Sequence, residues 1–100
     1  MKKITIEGKF TGEVNNFLDL DIYTSNASST PYNLSKKLHG DFTKIMDDLN
    51  PNTKYYIDFG GYTTTSFTLK ISGDFNQPNP ITKTFNAGAF DIGFTIKTNL

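Results

Sequence analysis

The chain has no cysteine, no tryptophan and no arginine. Without cysteine there is no disulfide, no thiol nucleophile and no thiolate metal site, and the redox compartment stays open. Without arginine the bidentate contacts to guanine and phosphate are missing, and ten lysines are balanced by ten acidic residues. That balance argues against a nucleic-acid partner. Long apolar runs are absent as well, since no stretch approaches the ~18 residues that a membrane span requires. The opening MKKITIEGKF has two lysines after Met1 but no apolar segment behind them, so it does not read as a secretory leader. The expected compartment is the cytoplasm of the producing cell, with no membrane partner.

What the chain does have is aromatic bulk. Nine phenylalanines and five tyrosines in 100 residues can close the core of one small domain without cross-links, because each aromatic ring buries a large area. No internal repeat is apparent. The dominant pattern is period two, the signature of half-buried strands. Ile4, Ile6 and Phe10 share a parity, with Gly8 in the same row. Leu18, Leu20 and Ile22 alternate with Asp19, Asp21 and Tyr23. Residues 26–31 (NASSTP) read as a loop, and Tyr32 with Leu34 as a short extended piece.

Residues 42–49 are ambiguous. Phe42, Ile45, Met46 and Leu49 fall at helical spacing after Asp41, a residue suited to capping, and Asn50-Pro51 would end the helix. The helical reading is preferred, because a regular strand would put Ile45 and Met46 on opposite faces. Beyond it, Tyr55, Ile57 and Phe59 alternate up to Gly60-Gly61, and Phe67, Leu69 and Ile71 alternate after it. If these two runs form a hairpin, an odd loop such as Gly60-Gly61-Tyr62 is needed to keep both rows inward, pairing Tyr55 with Phe67. Residues 76–80, with two prolines, form a turn. Ile81, Lys83 and Phe85 suggest an edge strand, and Phe90, Ile92, Phe94 and Ile96 give the cleanest alternation of all. Six to eight short strands with turns about every ten residues predict an all-β fold, an antiparallel sandwich or small barrel in a single domain.

Candidate chemistry is sparse. Ser35, His39 and Asp41 are the residue types of a hydrolase triad, but they crowd one loop, and a solvated loop histidine is the stronger reading. Asp19 and Asp21 project from one strand face and, with Asp41, Asp47, Asp48 or Asp58, could offer oxygen ligands to calcium, although nothing matches the twelve-residue calcium loop. The glycines do not open a helix, so no phosphate cradle is indicated. No cofactor is expected. Tyr23, Tyr32 and Tyr62 lie outside the apolar rows. Tyr62 precedes Thr63, Thr64, Thr65 and Ser66, so at a hairpin tip it would show one ring among hydroxyls. These tyrosines and Thr64 are the candidate contacts for a protein partner or a glycan.

Leu49-x-Pro51-x-Thr53-x-Tyr55 resembles the strand-connecting corner of fibronectin type III domains. The resemblance implies an immunoglobulin-like β-sandwich in which Leu49 packs on Tyr55 and the tyrosine hydroxyl ties back to the backbone of the preceding turn. It covers seven residues. The core tryptophan of that family is missing, and only 48 residues precede the corner. Such domains act mostly as spacers, adhesion units and assembly modules, which is analogy of fold. The expected function is a non-catalytic interaction module, a subunit of a larger assembly and capable of homo-oligomerisation. A capsid decoration or other auxiliary protein incorporated in a phage or phage-tail-like virion is the concrete form. The alternative is a carbohydrate-binding module that uses the exposed tyrosines.

Overall fold

The computed structural model describes residues 1–12, 16–24, 33–76 and 78–100. Among the described residues there are eight strands and no helix. They are β1 (Lys2–Phe10), β2 (Phe17–Tyr23), β3 (Asn33–Leu38), β4 (Phe42–Leu49), β5 (Lys54–Thr63), β6 (Phe67–Gly73), β7 (Ile81–Phe85) and β8 (Gly88–Lys97). Every pairing is antiparallel. Sheet I has the order β4-β1-β6-β7 and sheet II the order β3-β2-β5-β8. The expected sandwich is therefore present. Residues 26–31 and Tyr32 lie outside the described residues.

Most of the core comes from rows that the alternation marked. Ile4 and Ile6 of β1, Leu18, Leu20 and Ile22 of β2, Tyr55, Ile57 and Phe59 of β5, and Phe67, Leu69 and Ile71 of β6 are almost fully buried. Phe67 is the hub of an aromatic cluster at one end. It stacks on Phe85 with ring centroids 4.6 Å apart, and Phe10 and Phe90 each lie 5.0 Å from it.

Two expectations are corrected. Residues 42–49 are not a helix but strand β4, paired with β1. Ile4 faces Met46 and Lys2 faces Leu49, so Asp47 and Asp48 together stand opposite the single residue Lys3. This β-bulge lets Met46 and Leu49 both point inward despite their spacing of three. A bulged strand thus imitates helical spacing. Ile45, the residue that favoured the helix, sits on the outer face and is 50% exposed.

The second correction concerns residues 54–71. β5 and β6 do not form a hairpin, and Tyr55 does not pair with Phe67. β5 pairs with β2 and β8, while β6 pairs with β1 and β7. Both apolar rows point inward because they face each other across the sandwich, and residues 64–66 carry the chain between the sheets. Gly60 and Gly61 are not a turn but the middle of β5. Gly61 has φ 148°, and a Cβ there would overlap the carbonyl oxygen of Phe17. The glycine marks a close approach of two backbones inside a sheet.

The corner is built as the resemblance implied. Leu49 and Tyr55 are buried, and the Asn50 N–H donates to the Tyr55 hydroxyl at 2.9 Å. Buried Thr98 completes it: its hydroxyl accepts from the Thr53 N–H at 2.9 Å and donates to the Asn50 carbonyl at 2.6 Å. The last residues of the chain are thereby sewn to the turn that launches β5.

Candidate binding face

Directly opposed residues in adjacent strands project to the same face, so the register of sheet II fixes the composition of its outer surface. Four rows cross it. Tyr23 faces Tyr56, and Tyr56 faces Thr95. Asp21 faces Asp58, and Asp58 faces Gly93. Asp19 faces Gly60, and Gly60 faces Asp91. Phe17 faces Tyr62, and Tyr62 faces Ala89. The face therefore has an aromatic pair at each end and, between them, four carboxylates around two glycines, with Ser35 and Lys37 of β3 opposite Asp21 and Asp19. Six residue steps along β5, from Tyr56 to Tyr62, separate the two ends, roughly 20 Å at the rise of an extended strand.

At one end the Tyr23 and Tyr56 rings stack with centroids 5.4 Å apart. The Tyr23 hydroxyl donates to Asp58 Oδ2 at 2.8 Å, and the Ser35 hydroxyl donates to Asp21 Oδ1 at 2.7 Å. Asp21 and Asp58 stand directly opposite, an arrangement that costs energy through like-charge repulsion. The two hydroxyl donors offset it. The hydrogen bond to Asp58 raises the Tyr23 pKa above the ordinary tyrosine value, with smaller contributions from desolvation and from the charge on Asp58. Asp58 leans over Gly93: a Cβ at 93 would come within 2.9 Å of Asp58 Oδ1, so a larger residue there would make that carboxylate shift.

The other end is barer. Phe17 is 61% exposed and Tyr62 is 52% exposed, side by side. The His39 ring meets Phe17 edge-on at 5.2 Å, and its Nδ1 lies 3.0 Å from the Asn16 carbonyl oxygen, a geometry that puts the proton on Nδ1. Thr64, exposed just past the end of β5, donates its N–H to Asn16 Oδ1 at 3.2 Å.

Of the residues singled out from the sequence, Tyr62 and Thr64 share this second end and Tyr23 stands at the first. Tyr32 lies outside the described residues. Tyr62 is not at a hairpin tip but on the open surface of β5. Phe17, Tyr56, Asp58 and Asp91 complete the face and were not singled out as contacts. Phe17 was detectable, since it continues the outward row Asp19, Asp21, Tyr23. The triad types are dispersed: Ser35 bonds Asp21, Asp41 Oδ1 accepts from the Phe10 N–H at 2.8 Å, and His39 turns to Asn16 and Phe17. Among the described residues no three acidic or histidine side chains are grouped so as to hold a metal ion, Asp19 and Asp21 included.

No helix among the described residues is long and apolar enough to cross a membrane. No known family description, curated protein or solved structure matches the chain.

Proposed function

We propose that this chain is a non-catalytic interaction module, a subunit of a larger protein assembly, docking through the outer face of sheet II. The observation that carries the reading is the adjacent, exposed pair Phe17 and Tyr62. Aromatic anchors of this kind dominate the energetics of protein interfaces. The Tyr55 corner, a feature of fibronectin type III and other immunoglobulin-like sandwiches, supports a spacer or assembly role by analogy of fold. Its concrete form is a decoration or auxiliary protein of a phage or phage-tail-like particle. Sedimentation of extracts from the producing cells tests it. The chain is expected to travel with a particle, and the double variant Phe17→Ser, Tyr62→Ser to remain at the top of the gradient. A wild-type chain that never enters a larger species would sink the proposal.

A second reading has its own observation in favour. Carboxylates over a glycine floor, bounded by aromatic pairs, suit an extended polyhydroxylated ligand: acidic oxygens accept from sugar hydroxyls while rings stack on sugar faces. A carbohydrate-binding role predicts signals on a glycan array that Tyr62→Ala abolishes.

A further inference from the structure

Each sheet ends in two edge strands, and the four are not alike. On β3, Lys36 stands opposite buried Leu20; on β4, Lys44 opposite buried Ile6; on β7, Lys83 opposite buried Leu69. Each lysine therefore sits in the inward row of its strand, with apolar neighbours on both sides. An inward charge at an edge works against pairing with another chain, since covering the strand would strand an ammonium group away from water. β4 adds its bulge, and β7 is only five residues long.

β8 has none of these protections. It runs for ten residues, and its inward row is Phe90, Ile92, Phe94 and Ile96. The first three are only partly buried, although all three pack against the core. Its backbone polarity can be read from its C-terminal end. The Thr98 N–H points at β5, donating to the Thr53 carbonyl at 3.0 Å. On the other side, the Lys97 carbonyl accepts from the Asn76 N–H at 2.9 Å and the Asn99 N–H donates to the Asp74 carbonyl at 3.1 Å. By alternation, the backbone groups of Ala89, Asp91, Gly93 and Thr95 point away from β5. Among the described residues no strand pairs with them there. Residues 74–76 cover one end of the edge through the bridge between Phe75 and Thr98, and the connection from β7 closes the other. The open stretch from Ala89 to Thr95 has Ile92 at its midpoint.

We propose that this edge pairs with the same edge of a second copy of the chain, antiparallel about a twofold axis through Ile92. The edge is self-complementary in that register. Ile92 meets its symmetry mate, Phe90 meets Phe94, Asp91 meets Gly93 and Ala89 meets Thr95, so no carboxylate directly faces another. Each pair of outward-pointing residues exchanges two backbone hydrogen bonds, and the incomplete packing of Phe90, Ile92 and Phe94 is completed. Residues 88–90 of the second copy come alongside a pocket of about 280 Å³ lined by Phe75, Pro78, Ile81 and Ile96. The contact is isologous, so it closes at a dimer and joins the two copies of sheet II into one continuous sheet.

The inference deepens the assembly reading and rests on it. Sedimentation equilibrium of the purified chain, with backbone hydrogen exchange followed by NMR, tests it. The expected result is a dimer in which the amides of Asp91, Gly93 and Thr95 are protected. Ile92→Lys, which installs the inward lysine of the other edges, should abolish the dimer and that protection while the amides of Phe90 and Phe94 stay slow. Thr95→Pro removes one outward N–H without touching the β5 ladder and should also give a monomer, so the test survives if Ile92→Lys fails to fold. A wild-type monomer, or a dimer whose Asp91, Gly93 and Thr95 amides exchange freely, overturns the pairing. A monomer that still sediments with a particle overturns this pairing alone; a dimer that never joins one overturns only the assembly reading.

Discussion

Tyr55 and Tyr23 put the same phenol group to two different uses. The Tyr55 hydroxyl accepts the Asn50 N–H in a partly buried turn. Tyr55→Phe leaves that donor without its partner, and the expected cost is about 1 kcal/mol in urea unfolding. No loss would mean that packing and the Thr98 hydrogen bonds hold the corner without the Tyr55 hydroxyl. The Tyr23 hydroxyl instead donates to a carboxylate on the surface, which favours its protonated form and raises its pKa above 10.0. The stabilisation is fully present below the ordinary tyrosine range and is lost as pH rises through the raised value. Ultraviolet titration of wild type minus Tyr23→Phe should therefore show ionisation above the ordinary tyrosine range. Asp58→Asn should bring it down; an unchanged titration would show that Asp58 is not the cause. Tyr55's role was readable from seven consecutive residues, because both partners are local. Tyr23's partner was not, because Asp58 lies 35 residues away and only strand pairing brings it near.

Strand β4 shows how far a local pattern reaches. Phe42, Met46 and Leu49 have a helix-like spacing, yet the chain is extended and the bulge at Asp47-Asp48 supplies the extra residue. Substitution separates the two structures. Ile45→Thr, at an exposed outer position, should change stability by no more than about 0.5 kcal/mol. Met46→Ala should cost about 2–5 kcal/mol by emptying a buried site. In a helix that buried Phe42, Ile45 and Met46 together, both substitutions would be expensive, so equal losses would refute the strand. β5 makes the complementary point: Gly60-Gly61 has the composition of a turn, but both lie within the strand and Gly61 serves the approach of the β2 backbone. Composition reported that something special happens at those residues and left open what it is.

The sandwich as a whole is fastened at its Phe67 end. That buried ring stacks on Phe85 of β7 and packs against Phe90 of β8, so it ties together the edge strands of both sheets on one side. Phe67→Ala should cost about 3–5 kcal/mol in chemical unfolding. Hydrogen exchange should quicken first in β7 and β8; a loss spread evenly over all strands would mean that the cluster is not the fastening. The candidate face is likewise a property of the whole fold. Parity alone turned Tyr23 and Tyr62 outward, but the register of β2, β5 and β8 placed them at opposite ends of one surface and set Phe17 beside Tyr62.

The sequence by itself determined the strands other than β4, most of the rows that fill the core and the corner at Leu49 and Tyr55. Each of these depends on alternation or on contacts within a few residues. Only the tertiary structure decided which strands share a sheet. Alternation records that a row points inward, and it reads the same whether its partner row lies beside it or across the core. From that one choice follow the separation of β5 from β6, the aromatic and acidic face of sheet II, and the position of β8 at an edge. Long-range hydrogen bonding makes the choice, and those bonds join backbone groups that every residue type shares.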